Sequence, residues 1–213
     1  MISSVAVLLF GDRQLGSLGG LPTHRANGPD DIDGAIGPYR RLVVVGTDAD
    51  LAAVLSRLLR ADRLDIEVAY VPRRRTTATR VYRLPAGRRA ARRGRRGSAR
   101  RVPLIRDETG SVIVGWANWL PADGGQSIHG EAVVDDTPLF DGDVAGVLIE
   151  PTPAVPGLRA RVHGGRISRR WITGRAVQLG STGVAVFRDG LPAPRTARRS
   201  TFYRNVEGWL LVR

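Results

Sequence analysis

The stretch LVVVGTDADLAAVLSRLL, residues 42–59, decides how the rest of the chain is read. Leu42 to Val45 is a short, continuous apolar run rich in β-branched residues, the pattern of a strand covered on both faces. From Leu51 the period changes. Leu51, Val54, Leu55, Leu58 and Leu59 fall at i, i+3, i+4, i+7 and i+8, which sets an apolar stripe along one side of a helix. Gly46 to Asp50 lies between them. Either Asp48 or Asp50 suits the helix N-cap, because a short side-chain oxygen accepts from the first unpaired N–H groups. Strand, acidic turn and helix make half of a βαβ unit, and in open α/β sheets ligands bind outside the carboxyl ends of the strands.

Working outward, a chain of 213 residues with 42% hydrophobic content can bury a substantial core; at this size roughly 70% of the unfolded surface leaves water on folding. There are no cysteines, which excludes disulfides and thiolate metal sites, and His24, His129 and His163 show no ligand spacing. Trp116, Trp119, Trp171 and Trp209 read as core or sheet-edge residues rather than as a stacking platform. No apolar run approaches the ~20 residues of a membrane-spanning helix. The start, MISSVAVLLFGDR, lacks a basic n-region and a small-residue cleavage site, so Val5 to Phe10 reads as a first strand rather than a signal peptide. A cytoplasmic protein is the default expectation.

Every one of the 33 basic residues is Arg, and the formal net charge is +13. Thirteen of these arginines fall between Arg73 and Arg101, a segment with no acid, and elsewhere arginines and acids balance at 20 each. The excess charge therefore belongs to one segment. Arg88 to Arg101, RRAARRGRRGSARR, has no apolar stripe and two interior glycines, so it reads as a solvated loop whose removal leaves the fold intact. Arg73, Arg74, Arg75, Arg88, Arg89, Arg92, Arg93, Arg95 and Arg96 are the candidate polyanion contacts. The partners they suit are nucleic acid, through released counterions, or an anionic membrane surface, at ~1 kcal/mol per nearby Arg. The plainer reading is a solvated loop enriched in Arg by a GC-rich genome.

Along the chain, Gly11 to Pro38 reads mostly as Gly- and Pro-rich loop, although Asp30, Asp31 and Asp33 could open a short helix. Asp65 to Val71 is predicted as a strand parallel to the Leu42 strand through a right-handed crossover. From Val102 the pattern is all β. Ser111 to Leu120, Ile128 to Val134, Val144 to Glu150, Leu158 to Val162, Ile167 to Gln178, Gly183 to Arg188 and Phe202 to Val212 read as strands separated by turn clusters. His163-Gly164-Gly165-Arg166 suits a two-residue hairpin turn. The expected architecture is a small N-terminal α/β domain with a partly parallel sheet (1–72), an Arg-rich loop or linker (73–101) and a C-terminal antiparallel β-sandwich-like domain (102–213).

The opening stretch resembles the nucleotide-binding turn of diacylglycerol kinases and related lipid kinases, where a buried strand ends in Gly-Gly-Asp-Gly-Thr before a helix. Gly46 and Asp48 match the first Gly and the Asp, while Thr47, Ala49 and Asp50 depart from the pattern. The resemblance extends over nearly the whole chain. It includes VAVFRDGLPAPR, where Asp189 and Gly190 stand in the family's Asp-Gly-Glu loop with Leu191 in place of Glu, and EAVVDDTPLFDG, residues 131–142. The family's second phosphate loop, Gly-Thr-Gly-Asn after a Pro, is replaced after Pro72 by Arg73 to Thr79.

The resemblance implies ATP and Mg²⁺ as cofactors of an active member. Asp48 would be the catalytic and metal-binding acid, Asp189 a second acid, and Gly46, Thr47, Asp50, Thr76 and Thr77 would face the nucleotide. The departures imply a degenerate lipid-kinase-like protein, leaning to no enzymatic activity, with a binding or scaffolding role and a place at the inner membrane face. The other functional class is a non-catalytic module that binds nucleic acid or anionic membrane through the Arg segment. For Asp48 and Asp50 the plainer alternative is helix capping, and for Asp189-Gly190 a β-turn. Self-association is left open.

Overall fold

The computed structural model describes residues 4–13, 16–122, 124–164 and 170–213, which form two compact units. The first comprises residues 1–102 and 207–213; the second comprises 103–206.

The first unit is a sheet with helices. Its elements are β1 (Val5–Phe10), β2 (Thr23–Ala26), α1 (Pro29–Ala35), β3 (Arg41–Val45), α2 (Asp48–Arg60), β4 (Glu67–Tyr70), α3 (Thr77–Val81), α4 (Gly87–Arg96) and β5 (Ala99–Val102). To these is added a last strand, Trp209–Val212, labelled β17 because it follows the strands of the second unit. The sheet order is β2-β1-β3-β4-β17-β5, parallel throughout except that β5 runs antiparallel to β17. The strand expected at Asp65 to Val71 is thus β4, parallel to β3 as the crossover rule requires. Leu42 to Val45 are buried, as are Leu51, Val54, Leu55 and Leu58 on the inner face of α2. Leu59, at the edge of the expected stripe, is only partly covered.

Three expectations for this unit are corrected. The α2 N-cap is Thr47, whose Oγ1 accepts from the Asp50 N–H at 3.3 Å, so Asp48 and Asp50 occupy the first turn rather than the cap. Gly11 to Pro38 is not loop throughout: it holds β2, and the short helix that Asp30, Asp31 and Asp33 could open is α1. Pro29 stands at the first helical position, where its fixed φ suits a helix and its missing N–H costs nothing. The Asp31 carboxylate accepts from the N–H groups of Asn27 and Gly28 at 2.8 and 3.2 Å.

The third correction is the largest: Arg88 to Arg101 is helix α4 followed by strand β5. Ala90, Ala91 and Gly94 are buried at the spacing of one helix face. A Cβ on Gly94 would lie 3.2 Å from Val43 Cγ1 and 3.4 Å from Ala69 Cβ, so the helix rests directly on the sheet. At the C-terminal end of α4, the Arg41 guanidinium donates to the carbonyls of Gly94 and Gly97 at 3.1 and 2.8 Å while also bonding Glu67. A stripe of alanine and glycine buries little area per residue, which is why it does not register as an apolar face.

The second unit is antiparallel. Its strands are β6 (Ile105–Asp107), β7 (Val112–Ile113), β8 (Ala117–Pro121), β9 (Ile128–Val134), β10 (Thr137–Val144), β11 (Val147–Pro151), β12 (Leu158–Val162), β13 (Ile172–Gly174), β14 (Ala176–Arg188), β15 (Leu191–Pro192) and β16 (Ala197–Arg204). The main path is β13-β12-β11-β8-β14-β16-β6-β7, with β9 bridging β10 and β14. Trp119, Phe202, Ile128, Ile149 and Leu158 lie in its core. The strand read from Ser111 to Leu120 is divided into β7 and β8 at residues 114–116, and Val144 to Glu150 spans the end of β10 and most of β11. Residues 123 and 165–169, which include part of the expected 163–166 turn and the start of the 167–178 strand, lie outside the described residues.

Candidate functional site

In the first unit β1, β3 and β4 end side by side at a pocket of about 480 Å³ whose lining includes Asp12, Arg13, Val45, Val71, Arg73 and Arg88. This is the position that parallel-sheet topology assigns to ligands. The turn after β3 closes upon itself beside it. Asp50 Oδ2 accepts from both the Thr47 backbone N–H and Thr47 Oγ1 at 2.7 Å, completing a capping box. The Asp50 side chain lies where a Cβ on Gly46 would be, 2.7 Å from Asp50 Cβ and 2.8 Å from its Oδ2. Gly46 is therefore required here by the side chain of its own turn, and its carbonyl accepts from Arg13 at 3.0 Å.

Asp48 points across the sheet end. Its Oδ1 accepts from the Tyr70 hydroxyl at 2.8 Å and its Oδ2 from the Ala78 N–H at 3.1 Å, so one carboxylate joins α2, β4 and the start of α3. Burial, and after it the Asp48 charge, push the Tyr70 phenol well above its ordinary pKa. Thr76 caps α3, accepting from Thr79 N–H at 3.2 Å while Thr79 Oγ1 accepts from Thr76 N–H at 2.8 Å. Thr77 Oγ1 lies 3.5 Å from Arg80 Nη2.

Asp189 belongs to the second unit. With φ of 48° at Asp189 and 91° at Gly190, the pair forms the positive-φ hairpin turn between β14 and β15. Its carboxylate accepts from three successive N–H groups, Val114, Gly115 and Trp116, at 2.8, 2.7 and 2.9 Å. This accounts for the break between β7 and β8, because those amides turn to the side chain instead of a neighbouring strand. Leu191 follows, 60% exposed.

The arginines separate into distinct surroundings. Arg73 and Arg88 line the strand-end pocket, whereas Arg75, Arg89, Arg92, Arg93 and Arg96 line a second, larger cleft in the same unit. Arg95 donates to the Ser17 carbonyl, and Arg74 is exposed. Reading the segment as a loop missed Arg80, Arg83 and Arg213, which line that cleft as well. A signal was present. Arg89, Arg92, Arg93 and Arg96 stand at i, i+3, i+4 and i+7, a periodic charged face opposite the small-residue stripe.

Each histidine has an ordinary partner: His24 with the Tyr39 hydroxyl, His129 with Asp143, His163 with Asn118. Burial, and secondarily Arg161, lower the His163 pKa. Trp119 and Trp209 are buried, and Trp171 carries the Arg159 and Arg161 guanidiniums at 4.2 and 4.7 Å from its ring centre. Among the described residues no three His, Asp or Glu side chains converge as a metal-binding group. No described helix is long and apolar enough to cross a membrane.

No protein-family model and no curated protein matches the sequence. The solved structures do match. A diacylglycerol kinase from Bacillus anthracis str. Sterne superimposes with a TM-score of 0.71 at 10% identity, covering 98% of this chain and 96% of that one. An NAD kinase from Archaeoglobus fulgidus, solved in complex with ATP, gives 0.64 at 11% identity over 98% and 93% of the two chains. Yeast NADH kinase complexed with NADH gives 0.59 at 10% identity over 98% and 83%. The chain therefore has the two-part fold of these lipid and NAD kinases; the motif resemblance implied the lipid-kinase likeness alone.

Proposed function

We propose that this chain is a lipid-kinase-like protein that has lost phosphoryl transfer and acts by binding or scaffolding. One observation carries the reading: the Asp50 carboxylate sits on the Thr47 N–H at 2.7 Å, in the space that glycine at position 46 leaves. A phosphate approaching this turn would meet an anion where the fold's relatives, by the resemblance, present backbone donors. Two like charges about 4 Å apart repel by roughly 4 kcal/mol at an effective dielectric near 20. ATP with Mg²⁺ fits these residues poorly, since both Asp48 oxygens already accept hydrogen bonds and Asp50 closes the turn.

The loss is compounded at the other two loops. Arg73 to Thr79 provides no glycine cradle, and misplacement of reacting groups costs about a hundredfold in rate. Leu191 provides no proton acceptor, which is commonly worth ~10²–10⁴-fold. With radiolabelled ATP and diacylglycerol in mixed micelles, we expect no detectable phosphorylation. Turnover by the native protein that vanishes in Asp48→Ala would overturn the reading.

The arginine face of α4 favours a second role, compatible with the first: the segment is a polyanion contact. Because α4 and β5 are built into the sheet, its test is charge removal rather than deletion. Arg92→Gln with Arg96→Gln should weaken heparin retention while leaving the melting temperature nearly unchanged.

A further inference from the structure

The larger cleft has the character of a built site rather than a charged surface. It is an open cavity of about 1180 Å³ within the first unit. One wall is the α4 face of Arg89, Arg92, Arg93 and Arg96; the other is formed by Arg75, Arg80 and Arg83 around α3. Arg213 completes the ring, and its buried Nε has no hydrogen-bond partner among the described residues. No Asp or Glu lines the cavity, and none of the ion pairs found among the described residues involves these eight arginines. A concavity lined by one sign of charge focuses its field and concentrates counter-ions. The like charges also repel one another, a strain that a multivalent anion relieves.

The lining distinguishes among anions. Leu84 and Pro85 are its only carbon-only side chains, and no aromatic ring is present, so nucleobases have nothing to stack on. A flat membrane meets both walls of a concave cleft poorly. From Arg89 to Arg96 the helix advances only about 10 Å at 1.5 Å per residue. Guanidiniums this dense are matched best by phosphates that share bridging oxygens, rather than by phosphates separated by nucleosides. The hydroxyl-bearing Thr77 also lines the cavity and offers a further donor.

We propose that this cleft binds a compact soluble anion carrying several phosphates in close succession. The inference rests on the polyanion role of the segment and narrows it to one cavity and one ligand chemistry. Calorimetric titration with inorganic tripolyphosphate tests it. The triple variant Arg92→Gln, Arg93→Gln, Arg96→Gln removes one wall, and Arg75→Gln with Arg80→Gln weakens the other without touching α4. Arg25→Gln with Arg60→Gln removes two exposed charges from the same unit, outside both pockets.

Affinity should fall on the order of 100-fold in the triple variant and at least tenfold in the second, because charge-assisted hydrogen bonds are lost. The outside variant should remain within about threefold, and the salt dependence of the affinity should weaken in both cleft variants but not in the outside one. Equal losses inside and outside the cleft would leave a general polyanion role and overturn the cleft. Tighter binding of a single-stranded oligouridylate or of phosphatidylglycerol vesicles than of tripolyphosphate would overturn the ligand class. Absence of binding to all three probes would overturn the polyanion role itself.

Discussion

Asp48 and Asp189, the two acids the motif resemblance singles out, both serve the fold through their side chains. Each carboxylate is surrounded by donors of its own unit: Tyr70 and Ala78 for one, Val114, Gly115 and Trp116 for the other. Asp189→Ala leaves three amides without an acceptor and puts Ala, which tolerates positive φ less well than Asp, at that turn. It should lower unfolding free energy by roughly 3 kcal/mol in denaturant titration, and Asp189→Asn by less. Tyr70 carries an alkaline pH dependence. Its folded pKa is raised, so its contribution is fully present below the unfolded value of about 10. Above that pH the unfolded chain releases a phenol proton that the folded chain retains, and stability falls by ~1.4 kcal/mol per pH unit. Tyr70→Phe should cost about 1 kcal/mol at neutral pH and flatten the decline above pH 10; an unchanged alkaline slope would show that Tyr70 is not its source. None of these partners is visible in sequence, since Asp48 and Ala78 are thirty positions apart and Asp189 and Val114 seventy-five.

At the scale of elements, β3 and α2 were readable because their periods are unmixed: four consecutive apolar residues, then a leucine-rich 3.6-residue stripe. α4 was not, because its buried side is Ala90, Ala91 and Gly94 and its visible side is arginine. Hydrophobic periodicity detects large side chains, and a helix that approaches a sheet closely needs small ones. Enlarging that side tests the packing. Ala90→Leu should destabilise by about 1–3 kcal/mol through overpacking, whereas Arg92→Gln, on the exposed side, should fall within about 0.5 kcal/mol. Thermal melts that gave both changes the same effect would contradict the seating of α4 on the sheet. α1 was obscured for a different reason. Pro29 and Gly28 read as breakers, yet at a helix start proline is favoured and the flanking N–H groups are taken by Asp31.

At the scale of the molecule, the first unit is completed by the far end of the chain. β17 lies between β4 and β5, and the Trp209 ring packs edge-on against Tyr82 at 5.4 Å between centroids. Trp209→Ala should therefore cost about 3–5 kcal/mol, as for other large buried aromatics. It should lower the amide-exchange protection of β3 and β4, although more than a hundred residues of sequence separate Trp209 from them. Protection lost only in the second unit would contradict this assignment. The sequence alone determined the α/β-then-β character, the parallel pairing of β3 with β4 and the likeness to lipid kinases, because these follow from local period, crossover handedness and motif. Only the tertiary structure decided that the final strand returns to the first sheet, that the Asp50 carboxylate fills the turn it follows, and that the arginines of the basic segment converge on a cavity. Those outcomes depend on which distant backbone and side-chain groups meet, and neither spacing nor composition encodes a meeting between residues far apart in the chain.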